Sequence, residues 1–142
     1  MELDKTIAIA ESITGGSVCK MLTDVAGISA VFEYGIICYG DGAKHKLLKV
    51  KKKTLKKYTA VSPEVALEMA EGLKDLSNAD ICVSVTGEAG PTSNSGKPVG
   101  TVYIAVNNMA YKFDFEGDRA EIRQQSAIKV FELLQELIDG IK

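Results

Sequence analysis

The stretch TIAIAESITGGSVCKMLTDV, residues 6–25, holds both periodicities of an α/β fold in one line. Residues 6–12, TIAIAES, read as a β run that ends at Glu11-Ser12. Thr14-Gly15-Gly16 interrupts it. Val18, Met21, Leu22 and Val25 then recur at i, i+3, i+4 and i+7, which is one buried face of a helix. Strand, glycine turn, helix is how such folds present backbone N–H groups to an anion, so Thr14, Gly15 and Gly16 are candidate substrate-binding residues. The tripeptide is too short to specify a ligand, and a tight turn with none fits it equally well.

Downstream, GISAVFEYGIICYGDGAK (residues 27–44) reads as a second strand, FEYGIICY, covered on both faces. Gly27 turns the chain ahead of Ser29, Gly40 and Gly42 stop the strand after Tyr39, and Lys44 starts a helix through Leu47 and Leu48. Ser29, Tyr39 and Lys44 thus stand at the two ends of one short element. A serine needs a base to become a nucleophile, and a lysine that has lost its charge can be that base. By residue type alone, Ser29 fits a helix N-cap, Lys44 a surface position and Tyr39 a core aromatic equally well. Cys38 with His45 is a rival nucleophile pair, but alternation along the strand puts Cys38 on the face opposite Tyr39.

KHKLLKVKKKTLKKY (44–58) carries eight lysines among interleaved leucines, so it predicts one or two short amphipathic turns with a basic outer face. That face is either solvated or a patch for a polyanion. Ser62-Pro63-Glu64 is a helix start, followed by the stripe Val65, Met69, Leu73 and Leu76. ADICVSVTG (79–87) is a strand that runs into GEAGPTSNSGKP, a loop of a length that is usually functional or mobile. VGTVYIAVNN turns at Asn107-Asn108 into YKFDFEG. Asp118 caps the last helix, which Ala127, Val130, Phe131, Leu134 and Ile138 pack down. Arg119 and Arg123 share a face of its first turns, where cations oppose the helix dipole; an anion between them, or ordinary surface arginines, would account for the pair. The order predicts one domain over residues 1–142, a three-layer α/β/α arrangement with a mixed sheet.

Composition excludes several classes. A net charge of −2 gives no general attraction to nucleic acid or membrane, and no apolar run is long enough to span a bilayer. The N-terminus has no signal-peptide pattern, so the cytoplasm is the expected compartment. Cys19, Cys38 and Cys82 are odd in number and far apart, which argues for free thiols rather than disulfides or a zinc site.

The segments AES-x-TGG, LTDVAG-x-SAVF, Y-x-x-x-AK, AVSPEVALEMAEG, VTG-x-AGP, KPVGTVYIA and GDRAEIR, in this order, resemble the C-terminal domain of the CinA family. Its stand-alone members are nicotinamide-nucleotide amidohydrolases. The resemblance implies a step of pyridine-nucleotide salvage: hydrolysis of the carboxamide of nicotinamide mononucleotide to nicotinate mononucleotide and ammonia, with no metal or cofactor. It also implies that Ser29 is the nucleophile, Lys44 the base, Tyr39 a proton relay or a support for the lysine, and Thr86 an oxyanion donor. Gly87 and Arg119 join the glycine turn in binding substrate. For Lys44 to act, its pKa must fall from about 10.4 towards 7. The expected partners are the nucleotide and further copies of the chain in a homodimer or larger homo-oligomer, with neither membrane nor nucleic acid. One departure touches the site: Gly40-Asp41-Gly42 replaces the family's Ser-Asn-Glu. Two other readings stand beside the enzyme: a non-catalytic nucleotide- or phosphate-binding domain, and a nucleic-acid-associated protein acting through the lysine run.

Overall fold

Strand β1 (Ile7–Glu11) is buried at every position and separates two cores. Ile7 and Ile9 point to one side, where they meet Val18, Leu22, Ile122, Val130 and Leu134. Ala8 and Ala10 point to the other, towards Leu48, Val65, Met69 and Leu73. Alternation along one strand thus divides the chain into layers.

The computed structural model describes residues 4–141. After β1 come α1 (Ser17–Thr23), a 3₁₀ turn (Ile28–Ala30), β2 (Phe32–Ile37), α2 (Asp41–Leu48), α3 (Lys52–Tyr58) and α4 (Pro63–Ser77). Then follow β3 (Ile81–Gly87), β4 (Thr101–Val106), β5 (Met109–Asp114) and α5 (Arg119–Ile141). The five strands lie in the order β2-β1-β3-β4-β5. β1 runs parallel to both β2 and β3, while β4 and β5 are antiparallel, so the mixed three-layer sheet expected from the sequence is what forms.

The helix signals act as their chemistry dictates. The Ser62 hydroxyl accepts from Val65 N–H, with Pro63 next to it. Asp118 and Glu121 make a reciprocal capping box: Glu121 N–H donates to Asp118 Oδ1 at 2.8 Å and Asp118 N–H to Glu121 Oε1 at 3.0 Å. Ala127, Val130, Leu134 and Ile138 are buried beneath α5, with Phe131 half-buried beside them. α4 crosses α2 so closely that a Cβ on Gly72 would overlap the Leu48 carbonyl.

Two expectations fail here. β2 is not covered on both faces: it forms the edge of the sheet, alternates half-buried with exposed, and leaves Ile37 53% exposed. Lys44 does not start a helix, because α2 already begins at Asp41 and places the lysine three residues in.

The connections fix where a site can lie. From β1 the chain moves through α1 to β2 on one side, and from β2 it crosses by α2–α4 to β3 on the other. In such sheets the crevice at the carboxyl ends, where the order reverses, is open to ligands. Here that crevice lies between the ends of β1 and β3.

Candidate active site

Glu11 and Ser12 end β1 at this crevice. The Glu11 side chain is fully buried, and its carboxylate accepts from the N–H groups of Gly16 (3.1 Å), Val18 (3.0 Å) and Cys19 (2.8 Å). The donors at the start of α1 are therefore already taken by an internal anion. Gly15 N–H turns back to the Ser12 carbonyl. Thr14, Gly15 and Gly16 form a closed turn that holds Ser12 and offer no phosphate loop, a correction to the sequence reading. From α5, Arg123 donates Nε–H to the Ile13 carbonyl at 3.0 Å and braces the same turn. A Cβ on Gly15, where φ is +60°, would come within 2.8 Å of that guanidinium.

Lys44 reaches Ser12 from α2. It is 1% exposed, and its Nζ donates to Ser12 Oγ at 2.9 Å and to the Tyr39 carbonyl at 2.8 Å. No carboxylate forms an ion pair with it among the described residues. Burial pushes the Lys44 pKa below the ordinary lysine value, because the charged form loses water without gaining a counter-ion. The Asp41 carboxylate opposes that shift, and the Cys38 thiol does so less strongly.

These two residues open onto a cleft of about 370 Å³, also lined by Tyr39, Thr86, Gly87, Glu88 and Arg119. The structure thus brings five of the expected site residues together: Lys44, Tyr39, Thr86, Gly87 and Arg119. Two of them differ in detail from expectation. Tyr39 is 61% exposed rather than a core aromatic, and its carbonyl, not its hydroxyl, meets the lysine. The Thr86 hydroxyl donates to the Ala60 carbonyl at 2.9 Å, so its proton is committed and cannot serve an oxyanion. Arg119 donates to the Gly90 carbonyl at 2.6 Å and to the Tyr39 hydroxyl at 3.1 Å. The neighbouring loop is tied down. Ser95 bonds Glu88, and Lys97 Nζ reaches the Val61 carbonyl at 2.6 Å.

Ser29 is elsewhere. It lies exposed on the 3₁₀ turn before β2, in a separate groove with Thr6, Phe32 and Asn78. The six residues of β2 stand between it and the Tyr39–Lys44 end. At about 3.3 Å per residue that is about 20 Å, beyond any contact. Ser29 is therefore corrected as a partner of Lys44, and Ser12 takes its place. The missed signal was positional: Ser12 follows a parallel strand, whereas Ser29 precedes one, and ligands gather at carboxyl ends.

The remaining candidates separate as well. Cys38 is buried, while His45 is exposed and held through Nδ1 to the Val50 carbonyl, so they form no pair. All three cysteines are free. Arg123 braces the glycine turn, whereas Arg119 lines the cleft, so the two arginines do not share an anion. Of the eight lysines in 44–58, Lys44 alone is buried and the other seven are exposed. No helix among the described residues is long and apolar enough to cross a membrane.

The model of the CinA C-terminal domain matches residues 1–138. The chain is 44% identical over 140 residues to a CinA-like protein of Thermotoga maritima, covering 96% of this chain and 34% of that protein. It spans about a third of the length of the curated relatives it matches. Among solved structures, the competence damage-inducible protein A of Klebsiella pneumoniae superposes with a TM-score of 0.92 at 31% identity, over 97% of this chain and 89% of that one. The competence/damage inducible protein CihA of Agrobacterium tumefaciens gives a TM-score of 0.88 at 38% identity, over 94% and 85%. With a match that runs through both cores and every wall of the cleft, the chain belongs to the CinA C-terminal domain family.

Proposed function

We propose that this domain is an amidohydrolase that uses Ser12 as nucleophile and Lys44 as base, with nicotinamide mononucleotide as substrate. The observation that carries the reading is the 2.9 Å contact between Lys44 Nζ and Ser12 Oγ, both buried at the mouth of the cleft. While Lys44 is charged it donates to Ser12. Once neutral it accepts the Ser12 proton, so the same contact runs in the direction of catalysis.

Ser12 Oγ attacks the amide carbon as its proton passes to Lys44. The resulting oxyanion needs preorganised donors. The Ile13 N–H, beside the nucleophile and without an acceptor among the described residues, is one such donor. Lys44 then gives its proton to the amide nitrogen, the C–N bond breaks, and ammonia leaves an acyl ester on Ser12. Water attacks that ester while Lys44 takes its proton, and the proton returns to Ser12 Oγ. Tyr39 contributes its carbonyl, which holds the lysine on the serine. Arg119 uses two of its N–H groups on protein and keeps others for the substrate phosphate.

The test is ammonia release from nicotinamide mononucleotide. Ser12→Ala is expected to cut turnover by about 10³-fold or more, whereas Ser29→Ala leaves it within about twofold. Loss of turnover with Ser29→Ala and survival with Ser12→Ala would overturn the assignment. No release by the unaltered protein would overturn the activity.

A further inference from the structure

We propose that Glu88 forms a hydroxyl-accepting subsite in the cleft, which takes the ribosyl hydroxyl groups of a nucleotide whose amide meets Ser12. The inference rests on the amidohydrolase reading and adds a substrate determinant to it. Glu88 follows β3 directly, and its backbone is fixed on both sides. Its N–H donates to the Thr101 carbonyl at 2.9 Å, and its carbonyl accepts from Gly100 N–H at 2.7 Å.

Glu88 is 8% exposed and lines the cleft. Oε2 accepts both the Ser95 hydroxyl (2.6 Å) and the Ser95 N–H (3.2 Å). Oε1 accepts from no described residue, and no cation pairs with the carboxylate. Oε1 therefore keeps its solvent contact at the cleft wall and is a free acceptor for a donor that enters there.

The donor's chemistry follows from the other walls. Lys44 is committed to Ser12 and the Tyr39 carbonyl, and Arg119 to Gly90 and Tyr39. A phosphate would be repelled by Glu88, so the ligand's anionic end belongs at Arg119 instead. Between the phosphate and the carboxamide of a nicotinamide nucleotide lies a ribose with two vicinal hydroxyls. A carboxylate oxygen has the lone pairs to accept both.

Glu88→Gln separates recognition from loop anchoring. Its amide oxygen still accepts from Ser95, while its NH₂ group replaces the free acceptor with a donor. Ser95→Ala does the reverse, loosening the loop but keeping the free oxygen. Calorimetry with ribose 5-phosphate and 2-deoxyribose 5-phosphate is the readout that needs no turnover. The unaltered protein and Ser95→Ala are expected to prefer ribose 5-phosphate by about tenfold, and Glu88→Gln to bind the two sugars alike. With nicotinamide mononucleotide, Glu88→Gln raises KM about tenfold and leaves kcat within about threefold. Absent sugar-phosphate binding, or a ribose preference that survives Glu88→Gln, overturns the subsite even if deamidation is robust. A preference that depends on Glu88 in a protein releasing no ammonia would keep the subsite and overturn the activity.

Discussion

Lys44 Nζ and Ser12 Oγ lie 2.9 Å apart across 32 positions of sequence, one at the first turn of α2 and the other just past the end of β1. Neither helix nor strand could make this contact alone. It exists because β2 lies next to β1 in parallel register and delivers the chain to α2 at the same end of the sheet.

If Lys44 is the base, activity rises with pH through an ionisation well below the ordinary lysine value, the direction that burial dictates. Lys44→Arg keeps the charge and much of the reach but gives up no proton near neutrality, so it is expected to lose about 10³-fold or more in kcat. A pH–rate profile of both proteins decides the matter. An active arginine variant, with a rate that falls as pH rises, would make Lys44 an electrostatic clamp instead.

The same burial has a thermodynamic side. With its pKa lowered in the folded state, Lys44 binds its proton less readily there than in the unfolded chain. Between the folded value and about 10.4 the unfolded state holds more protons, so stability rises with pH across that window. Lys44→Met removes the ionisation. It is expected to be more stable than the parent at pH 7, with the gap closing towards pH 10 in urea unfolding. A gap of constant size would mean that the lysine's charge costs the fold nothing.

Asp41 works against a neutral Lys44. Its carboxylate favours the charged form of Lys44 from the same turn of α2. Asp41→Asn is therefore predicted to move the rising limb of the pH–rate profile to lower pH and to increase the rate near neutrality. An unmoved midpoint would show that solvent screens the pair completely, and one that shifts upward would overturn this role of Asp41.

Burial is the largest cause that pushes up the Cys19 thiol, and Glu11, which also holds three N–H groups, pushes it further through a hydrogen bond and its charge. Cys19 should react slowly with a thiol reagent at pH 8, although it is only half-buried. Glu11→Gln is expected to speed that reaction at least several-fold and to cost about 2–3 kcal/mol of stability, because a buried charge-assisted contact is lost. Stopped alkylation with unfolding measured on the same samples checks both. Unchanged reactivity would place the protection in packing alone.

The fold was legible because its signals are local and agree. Ile7 to Glu11 reads as a strand, Ser62-Pro63 opens α4, and Asp118 caps α5. The site was only partly legible. Lys44 looked like seven other lysines in its run, and only its family motif distinguished it; its burial comes from where α2 packs, which no local pattern encodes. Ser12 reads only as the polar end of a strand, and the family resemblance points to Ser29, which shares one short element with Tyr39 and Lys44 in sequence. Proximity along an extended strand is distance in space. The glycine turn looked ready for a phosphate because the sequence does not say that Glu11 folds back onto α1.

Glu11 and Ser12 are neighbours that face opposite ways, one into the start of α1 and the other into the cleft. The dipeptide therefore ties the heat resistance of the helix end to the position of the Ser12 hydroxyl. Selection for a faster or a hardier protein would meet the same two side chains and could not tune one property without moving the other. Variation that alters specificity has freer ground on the opposite wall, where Glu88 and its loop follow a different strand.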